Sequence, residues 1–488
     1  MPRTIVIGAG IAGIASSIRL ARKGHEVEVY EANEYPGGKL SVIEQDGFRW
    51  DAGPSLFTLP HLVTDLFELC GEQPKKYFQY DRHPTSCVYH WEDGTRYVLP
   101  GDQDEIAPSM AKTFRVDQNR VDRYLKKAKR KYELTGPVFL EQSLHLRKSY
   151  TSWSTLKTLM QSGGLGIFNS LHRENERHFE DERLVQLFDR YATYNGSSPY
   201  QTPGIMSMIP HLEMGIGTFF PRGGMYAITQ SLVGLAERQG VKFHFGEKVE
   251  QIEVENGKAS GITINGRAKN ADFVLSNMDV FATYRRLLPQ QTQPEKILQQ
   301  ERSSSALIFY WGVKGDFPQL DLHNIFFSDD YKQEFKTLFQ DRDIYDDPTV
   351  YVNISSKCEP GDAPDGHENW FVMINAPGDF GQDWETLIDR VRKQVTDKLS
   401  RMMGIDLTER IVSEAILDPR SIESRTQSHL GALYGTASNS RFAAFYRHAN
   451  FSRRIKNLYF CGGSVHPGGG IPLCLHSAAI ATDMIPTA

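Results

Sequence analysis

Cysteine is scarce and scattered. Cys70, Cys87, Cys358, Cys461 and Cys474 are five among 488 residues, odd in number and without a framework spacing. That excludes a disulfide-stapled scaffold and makes a reducing cytoplasm the expected compartment. Long apolar runs are missing too. A spanning helix needs about 18 apolar residues in a row, and the stretch that comes nearest, Thr4 to Ala21, is interrupted by Arg19 and by glycines. It is expected to be a buried strand and helix rather than a targeting segment. Strong charge of either sign is absent: the net charge of −5 offers nucleic acid no basic surface. Repeats and low-complexity linkers are also lacking, so domains are expected to interleave rather than follow one another. Aromatic residues, by contrast, are plentiful, with 27 Phe and 21 Tyr. They suit an apolar pocket and a well-packed core equally, in a chain long enough for two or three domains.

The first 31 residues read as strand, glycine turn, helix, strand and acid. Thr4 to Ile7 is a short β-branched run, and Gly8-Ala-Gly10-Ile11-Ala12-Gly13 follows at once. A helical pattern then runs to about Lys23 and stops at Gly24, and His25 to Tyr30 alternates as a second strand ending on Glu31. In this context the GxGxxG pattern is a dinucleotide-binding fingerprint. Gly8 permits the tight turn, Gly10 lets backbone approach a pyrophosphate, and Gly13 lets helix and strand pack closely. The helix N-terminus offers free N–H groups to phosphate. Glu31, 21 positions after Gly10, can accept from ribose hydroxyls. The fingerprint alone does not choose between NAD and FAD.

Two further glycine turns follow, Pro36-Gly37-Gly38-Lys39-Leu40 and Asp51-Ala-Gly53-Pro54-Ser55. Singly, each reads as an ordinary turn; in this order within one nucleotide-binding unit, both suit backbone brought close to a ligand. At the other end, strand-like Asn457 to Phe460 leads into Gly462-Gly463-Ser464-Val-His466-Pro-Gly-Gly-Gly470-Ile471-Pro472, and a small-residue helix from Leu473 to Met484 follows. A second helix N-terminus can thus face an anionic or electron-rich ligand. The spacing of Cys461, His466, Cys474 and His476 matches no metal pattern, and no metal is expected. His466 alone suits either an acid/base group or a turn-stabilising histidine.

The set GAGIAG, PGGKL, DAGPSLF and GGSVHPGGGIP resembles the flavin-dependent amine oxidase and phytoene desaturase superfamily, and within it the bacterial carotenoid desaturases. The likeness covers both ends and, more diffusely, the whole length. One departure matters: where the wider superfamily often places an acid after the glycines, Ser464 stands here, as in the carotenoid branch. The resemblance implies FAD, held by Gly8, Gly10, Ile11, Ala12, Gly13, Glu31, Ala32, Gly37, Gly38, Lys39, Leu40, Gly53, Pro54, Ser55, Val249, Gly463, Ser464, Gly470, Ile471 and Pro472. Val249 is carried over solely because that region returns to the adenine end. No catalytic residue is assigned.

The implied fold class is α/β: a Rossmann-type FAD-binding domain, residues 1–76, 221–280 and 411–488, interleaved with a mixed α+β substrate domain and helical cap, residues 77–220 and 281–410. Within the insertions, Cys87 to Trp91 and Thr95 to Leu99 read as a hairpin, and Asn256-Gly257 as a hairpin turn in the first domain. Ala306 to Val313, Thr349 to Ile354 and Trp370 to Ile374 read as strands that floor a cavity, and Asp383 to Met403 as a helix. The basic run Lys126 to Lys131 suits a solvated helix face better than a lipid-headgroup site. Leu156 to Leu171 and the Met- and Phe-rich Gly204 to Phe220 suit an apolar tunnel, a packed core or a membrane surface.

The implied activity is desaturation of an acyclic carotenoid or its end group, phytoene-like or 1-hydroxylated, with hydride passing to flavin. The implied partners are the lipophilic carotenoid, a membrane surface bound peripherally from the cytoplasm, and oxygen or a quinone as electron acceptor. An amine oxidase and a non-enzymatic prenyl-binding escort are the rival readings.

Overall fold

The structure is a computed structural model and describes residues 1–150, 165–440 and 443–488. Most of the Leu156 to Leu171 stretch lies outside the described residues. Five parallel strands form the first sheet, in the order Leu458–Phe460, Phe273–Ser276, Arg3–Ile7, Glu26–Tyr30, Lys242–His244. The fingerprint strand is central, and its neighbours come from both ends and the middle of the chain. Helix Ile11–Arg22 starts from extended Gly10 and buries Ile11, Ile14 and Ile18. Arg19 and Arg22 sit in its last turn, where cations suit the free carbonyls. The same apolar cluster takes in Leu232 and Leu235 of helix Tyr226–Arg238 and Leu475 and Ala478 of helix Ile471–Asp483. Asn256 and Gly257, both left-handed, close a two-residue hairpin in a separate three-stranded sheet.

A seven-stranded sheet forms the second layer, in the order Ile411–Leu417, Ser305–Lys314, His367–Ala376, Val350–Asn353, His323–Phe326, Thr85–His90, Arg96–Pro100. Within strand Ser305–Lys314, Ala306 to Val313 is an unbroken run of aliphatic and aromatic residues and one glycine, as suits a strand covered on both faces. Leu307, Phe309, Trp311 and Val313 point to helix Trp384–Met403, meeting Val391, Val395 and Leu399 in one cluster. Ala306, Ile308 and Tyr310 point the other way, toward the first domain. There the Tyr310 hydroxyl donates to the carbonyl of Ala52 at 2.9 Å, anchoring the sheet on the DAGPS turn. The hairpin read at residues 87–99 supplies the two strands at one edge. Residues 411–417, expected in the first unit, form the opposite edge strand instead, paired with Ser305–Lys314. That pairing is non-local, so no pattern within 411–417 announces it.

Helices Gln103–Phe114, Gln118–Phe139 and Glu182–Asp189 build the cap, each started by an aspartate (Asp102, Asp117, Asp181) whose carboxylate accepts a backbone N–H of the first turn. In the basic run, Lys126, Lys129 and Arg130 are exposed as expected, but Lys131 is buried. Its Nζ donates to Ser207 Oγ at 2.7 Å, to Glu174 Oε1 at 3.2 Å and to the carbonyl of Gly204 at 3.2 Å. The 204–208 turn is thereby fixed to the cap. Lys127 also donates to Glu174 Oε1, at 2.7 Å, so the buried carboxylate has two cations.

Candidate functional site

Ligands of open parallel sheets sit beyond the carboxyl ends of the strands. Here that edge opens into a cavity of about 1240 Å³. The turns after four strands reach it: Gly8, Glu31, Asn277 and Gly462 all line the wall. Nineteen of the twenty residues expected to hold the cofactor line this cavity. Gly13 is the exception. It packs behind the wall, where a Cβ would overlap the carbonyl of Gly8 and come within 3.0 Å of Asn277 Oδ1. Close packing of helix on strand is the role its place in the fingerprint predicts.

Glu31 is buried at the end of strand Glu26–Tyr30. Its Oε2 accepts from the Ala9 amide at 2.8 Å, and its Oε1 from Asn33 N at 2.9 Å and Asn33 Nδ2 at 2.8 Å. The acid is therefore oriented by the fingerprint loop itself. The amides of Gly246 and Glu247 donate to the carbonyls of Asn33 and Glu31, which brings Val249 to the same end of the cavity. Replacement Glu31→Ala removes this acceptor and leaves the Ala9 amide without its partner. Charge-assisted hydrogen bonds are worth about 1.5–3 kcal/mol, so the variant is expected to lose bound flavin about ten-fold or more readily on dilution. Fluorescence of released flavin measures this, and unchanged retention argues against the role.

The two glycine turns pack backbone to backbone. A Cβ on Gly53 would overlap the Lys39 carbonyl oxygen and lie 2.8 Å from its carbon, and one on left-handed Gly37 would overlap the Leu40 carbonyl. Lys39 Nζ donates to the carbonyls of Ala432 and Leu433, both at 2.8 Å, and so ties the cradle to the chain that leads to the C-terminal motif. Burial pulls this ammonium down to about 8, against the attraction of Asp279.

The C-terminal turn completes the cradle. Gly463, Ser464, Gly470, Ile471 and Pro472 line the cavity, and helix Ile471–Asp483 begins there with Pro472 in its first turn. A Cβ on Gly470 would point into open space. Ser464 Oγ accepts from the Val280 amide at 2.9 Å. His466 does not line the cavity. Its Nε2 meets the carbonyl of Gln142 at 2.8 Å, and burial pushes the ring down to about 3, so it is a neutral group holding a turn rather than an acid/base group of the site. Among the described residues no group of His, Cys, Asp or Glu can hold a metal.

Asn277 was not singled out from the sequence. It follows strand Phe273–Ser276, its Nδ2 donates to the carbonyl of Cys461 at 3.3 Å, and its Oδ1 lies 2.7 Å from a Cβ built on Gly10. It joins the two glycine turns. Its signal is its position, the first residue past a strand that belongs to the parallel sheet.

The cradle fits an extended dinucleotide. Two helix N-termini and several close-packed glycine turns face one groove with a carboxylate at its end. The flavin-containing amine oxidoreductase family matches residues 11–485. The chain belongs to this family. It is a flavin-dependent oxidoreductase, and FAD is its cofactor. It is 54% identical over 486 residues to a 1-hydroxycarotenoid 3,4-desaturase of Flavobacterium sp. strain P99-3, covering 100% of this chain and 99% of that one. It is 30% identical to a 4,4'-diaponeurosporene oxygenase of Staphylococcus haemolyticus, covering 99% and 97%. The fold matches that of an oxidoreductase from Methanosarcina mazei, with a TM-score of 0.63 at 17% identity and 99% of each chain covered.

Beyond the flavin cradle the cavity of this flavoenzyme continues between sheet and cap. Single-ligand sites span about 300–1,000 Å³, so 1240 Å³ leaves room for a second ligand. Its floor is one rung of the seven-stranded sheet: Leu417, Ile308, Met373, Tyr351 and Ile325 are successive partners in register. Its roof takes Ile205, Met206, Met208, Ile209 and Leu212 from the Met-rich segment, whose Met214 packs into the cap core instead. Tunnel wall and core are thus both made by that stretch. Ser55, Tyr351 and His323 form a hydrogen-bonded row across the floor, at 2.8 and 2.7 Å, and burial holds His323 neutral, down at about 3.

Proposed function

We propose that the enzyme desaturates an acyclic carotenoid, acting on a 1-hydroxylated end group at its 3,4 bond. The observation that carries this is the apolar chamber of Ile, Met and Phe side chains continuous with the flavin cradle, together with 54% identity across the whole chain to an enzyme of that name. The nineteen of these residues that line the cavity hold the cofactor in this reading, and Gly13 supports them from behind the wall. Bound FAD would supply the oxidant, taking one hydrogen of the saturated carbon pair with two electrons as hydride, while the other hydrogen would leave as a proton. The chain's own work is positioning and exclusion. Glu31 fixes one end of the cradle, Lys39 and Ser464 fix the loops at the other, and the sheet rung and Met-rich roof hold the hydrocarbon chain against it. Walls of this kind leave few places for water, which protects both partners from side reactions.

An insoluble substrate must arrive from a bilayer. Phe139, Leu140, Ile167, Ala443 and Phe445 line the cavity where exposed apolar rings gather: Phe139 meets Phe445 at 5.9 Å, and Phe168 is 81% exposed. We infer that this rim rests on the membrane surface and admits the carotenoid. No helix among the described residues is long and apolar enough to cross a membrane. Oxygen or a membrane quinone would serve as the electron acceptor that returns the bound flavin to its oxidised form.

The test is incubation of the holoenzyme with liposomes containing a 1-hydroxylated acyclic carotenoid. A product two hydrogens lighter with red-shifted absorption is expected. No new double bond despite bound oxidised FAD overturns the reading, and turnover of amines in its place would make the protein an amine oxidase.

A further inference from the structure

A charged cluster stands in the wall of the apolar chamber, apart from the flavin cradle. Arg190 and Glu213 are 8% and 2% exposed, and both line the cavity with Tyr194. Arg190 Nη2 donates to Tyr89 Oη at 2.7 Å and to Glu213 Oε2 at 3.1 Å, and Nη1 donates to Tyr194 Oη at 3.3 Å. The Tyr194 hydroxyl donates in turn to Glu213. The guanidinium carbon lies 4.7 Å from the ring centre of Tyr191, 5.3 Å from Tyr89 and 5.4 Å from Tyr194. Even so, Arg190 Nε has no hydrogen-bond partner. The more distant Glu213 oxygen, Oε1, accepts only a long contact of 3.3 Å from Arg190.

A purely hydrocarbon ligand gives no reason for such a cluster. Well-packed apolar residues replace buried ion pairs without loss of stability, often with gain. A wall that keeps a guanidinium whose Nη1 makes a single long contact beside a carboxylate whose Oε1 accepts only a long one is suited to one small group that both accepts and donates. A hydroxyl is that group.

Its position suits an end group. Ile325 pairs with Tyr351 on one side and with Tyr89 on the other. Tyr351 touches Ser55 of the cradle at 2.8 Å, and Tyr89 touches Arg190. Strands lie about 4.8 Å apart, so the cluster is about 10 Å from the cradle's edge along the sheet. With carbon–carbon bonds of about 1.5 Å, a hydroxyl on the first carbon lies about 4 Å from the third. A hydroxyl held here leaves the adjoining carbons between the cluster and the cradle.

We propose that Arg190, Glu213 and Tyr194 are the specificity-determining site for the tertiary hydroxyl of the substrate's end group: the guanidinium donates to its oxygen and its O–H donates to Glu213. This rests on the carotenoid-desaturase reading of the cavity and adds the means by which hydroxylated and unmodified end groups are told apart.

Binding, rather than turnover, is the test. A 1-hydroxylated acyclic carotenoid and its parent hydrocarbon, each in liposomes, are titrated into FAD-loaded protein while tryptophan quenching is followed. Wild type is expected to bind the hydroxylated form about ten-fold or more tightly, as a charge-assisted hydrogen bond implies. Arg190→Met combined with Glu213→Gln removes both charges together and is expected to abolish that preference while leaving the affinity for the parent within about two-fold. Tyr194→Phe, a milder change that keeps the ion pair, is expected to reduce the preference by about three-fold and serves if the double variant does not fold. No preference in wild type, or a preference kept by the variants, overturns the proposal. Binding with preference but without desaturation overturns the catalytic reading alone.

Discussion

Gly53→Ala is expected to yield protein without bound flavin and destabilised by at least about 3 kcal/mol. The added methyl cannot be accommodated by a side-chain shift, because what it meets is main chain: the Lys39 carbonyl and, at 3.3 Å, Leu40 Cα. The Ala52 amide donates to the Ser41 carbonyl at 2.8 Å, so the two strands of chain are held together at this point. Separating them moves Lys39, Leu40, Pro54 and Ser55 at once, all of which line the cavity. Overpacking by one methyl in a tight core costs about 1–3 kcal/mol when side chains can yield, and here they cannot. Gly37→Ala combines a similar overlap with a left-handed φ of 106° and is expected to be as severe. Gly240→Ala is the control: its φ of 86° carries the backbone strain, but nothing lies within 4 Å, so a loss of about 1–2 kcal/mol with flavin retained is expected. Flavin-to-protein absorbance ratio and urea unfolding measure both effects. A flavin-replete, stable Gly53→Ala protein would show that the contact of the two turns is not needed for the cradle.

The cradle of glycine turns was legible because its parts are local. A strand, glycine turn and helix within 31 residues announce themselves, and Gly37, Gly53 and Gly470 mark their turns without reference to anything distant. The second sheet was legible as strands, since Ser305–Lys314 is buried on both faces and shows it in the run from Ala306 to Val313. What could not be read is membership. Residues 411–417 join the second sheet through a partner a hundred positions earlier, and Asn277 matters because two distant glycine turns meet on it. The cluster of Arg190, Glu213, Tyr194 and Tyr89 is assembled across 124 positions of chain, so no local pattern joins its members. Lys131 is a different case. Val121, Tyr124, Ala128 and Lys131 recur at helical spacing on one buried face, so its burial was present in the periodicity and hidden by the charge run around it.

Lys39 carries the second large effect, and its sign depends on pH. Its ammonium titrates at about 8 in the folded protein against an ordinary 10.5, because burial disfavours the charged form. Below pH 8 the group is charged in both folded and unfolded chains, and the full penalty, about 3 kcal/mol at 1.36 kcal/mol per unit, weighs on the fold. Between pH 8 and 10.5 the unfolded chain binds more protons than the folded one, so this group makes stability rise with pH. The neutral amine still has two hydrogens for the carbonyls of Ala432 and Leu433. Lys39→Met removes the half-buried charge along with both hydrogen bonds, each worth about 1–2 kcal/mol when a carbonyl is left unpaired. At pH 7 these losses and the relief of the penalty nearly cancel, and the variant is expected within about 1 kcal/mol of wild type. At pH 10.5 only the losses remain, so it is expected to be less stable by about 3 kcal/mol. Urea unfolding of the flavin-free proteins at the two pH values reads the difference directly, because every other titrating group is common to both. A gap that does not widen with pH would mean that Lys39 is not held in the low-dielectric setting that the cradle gives it.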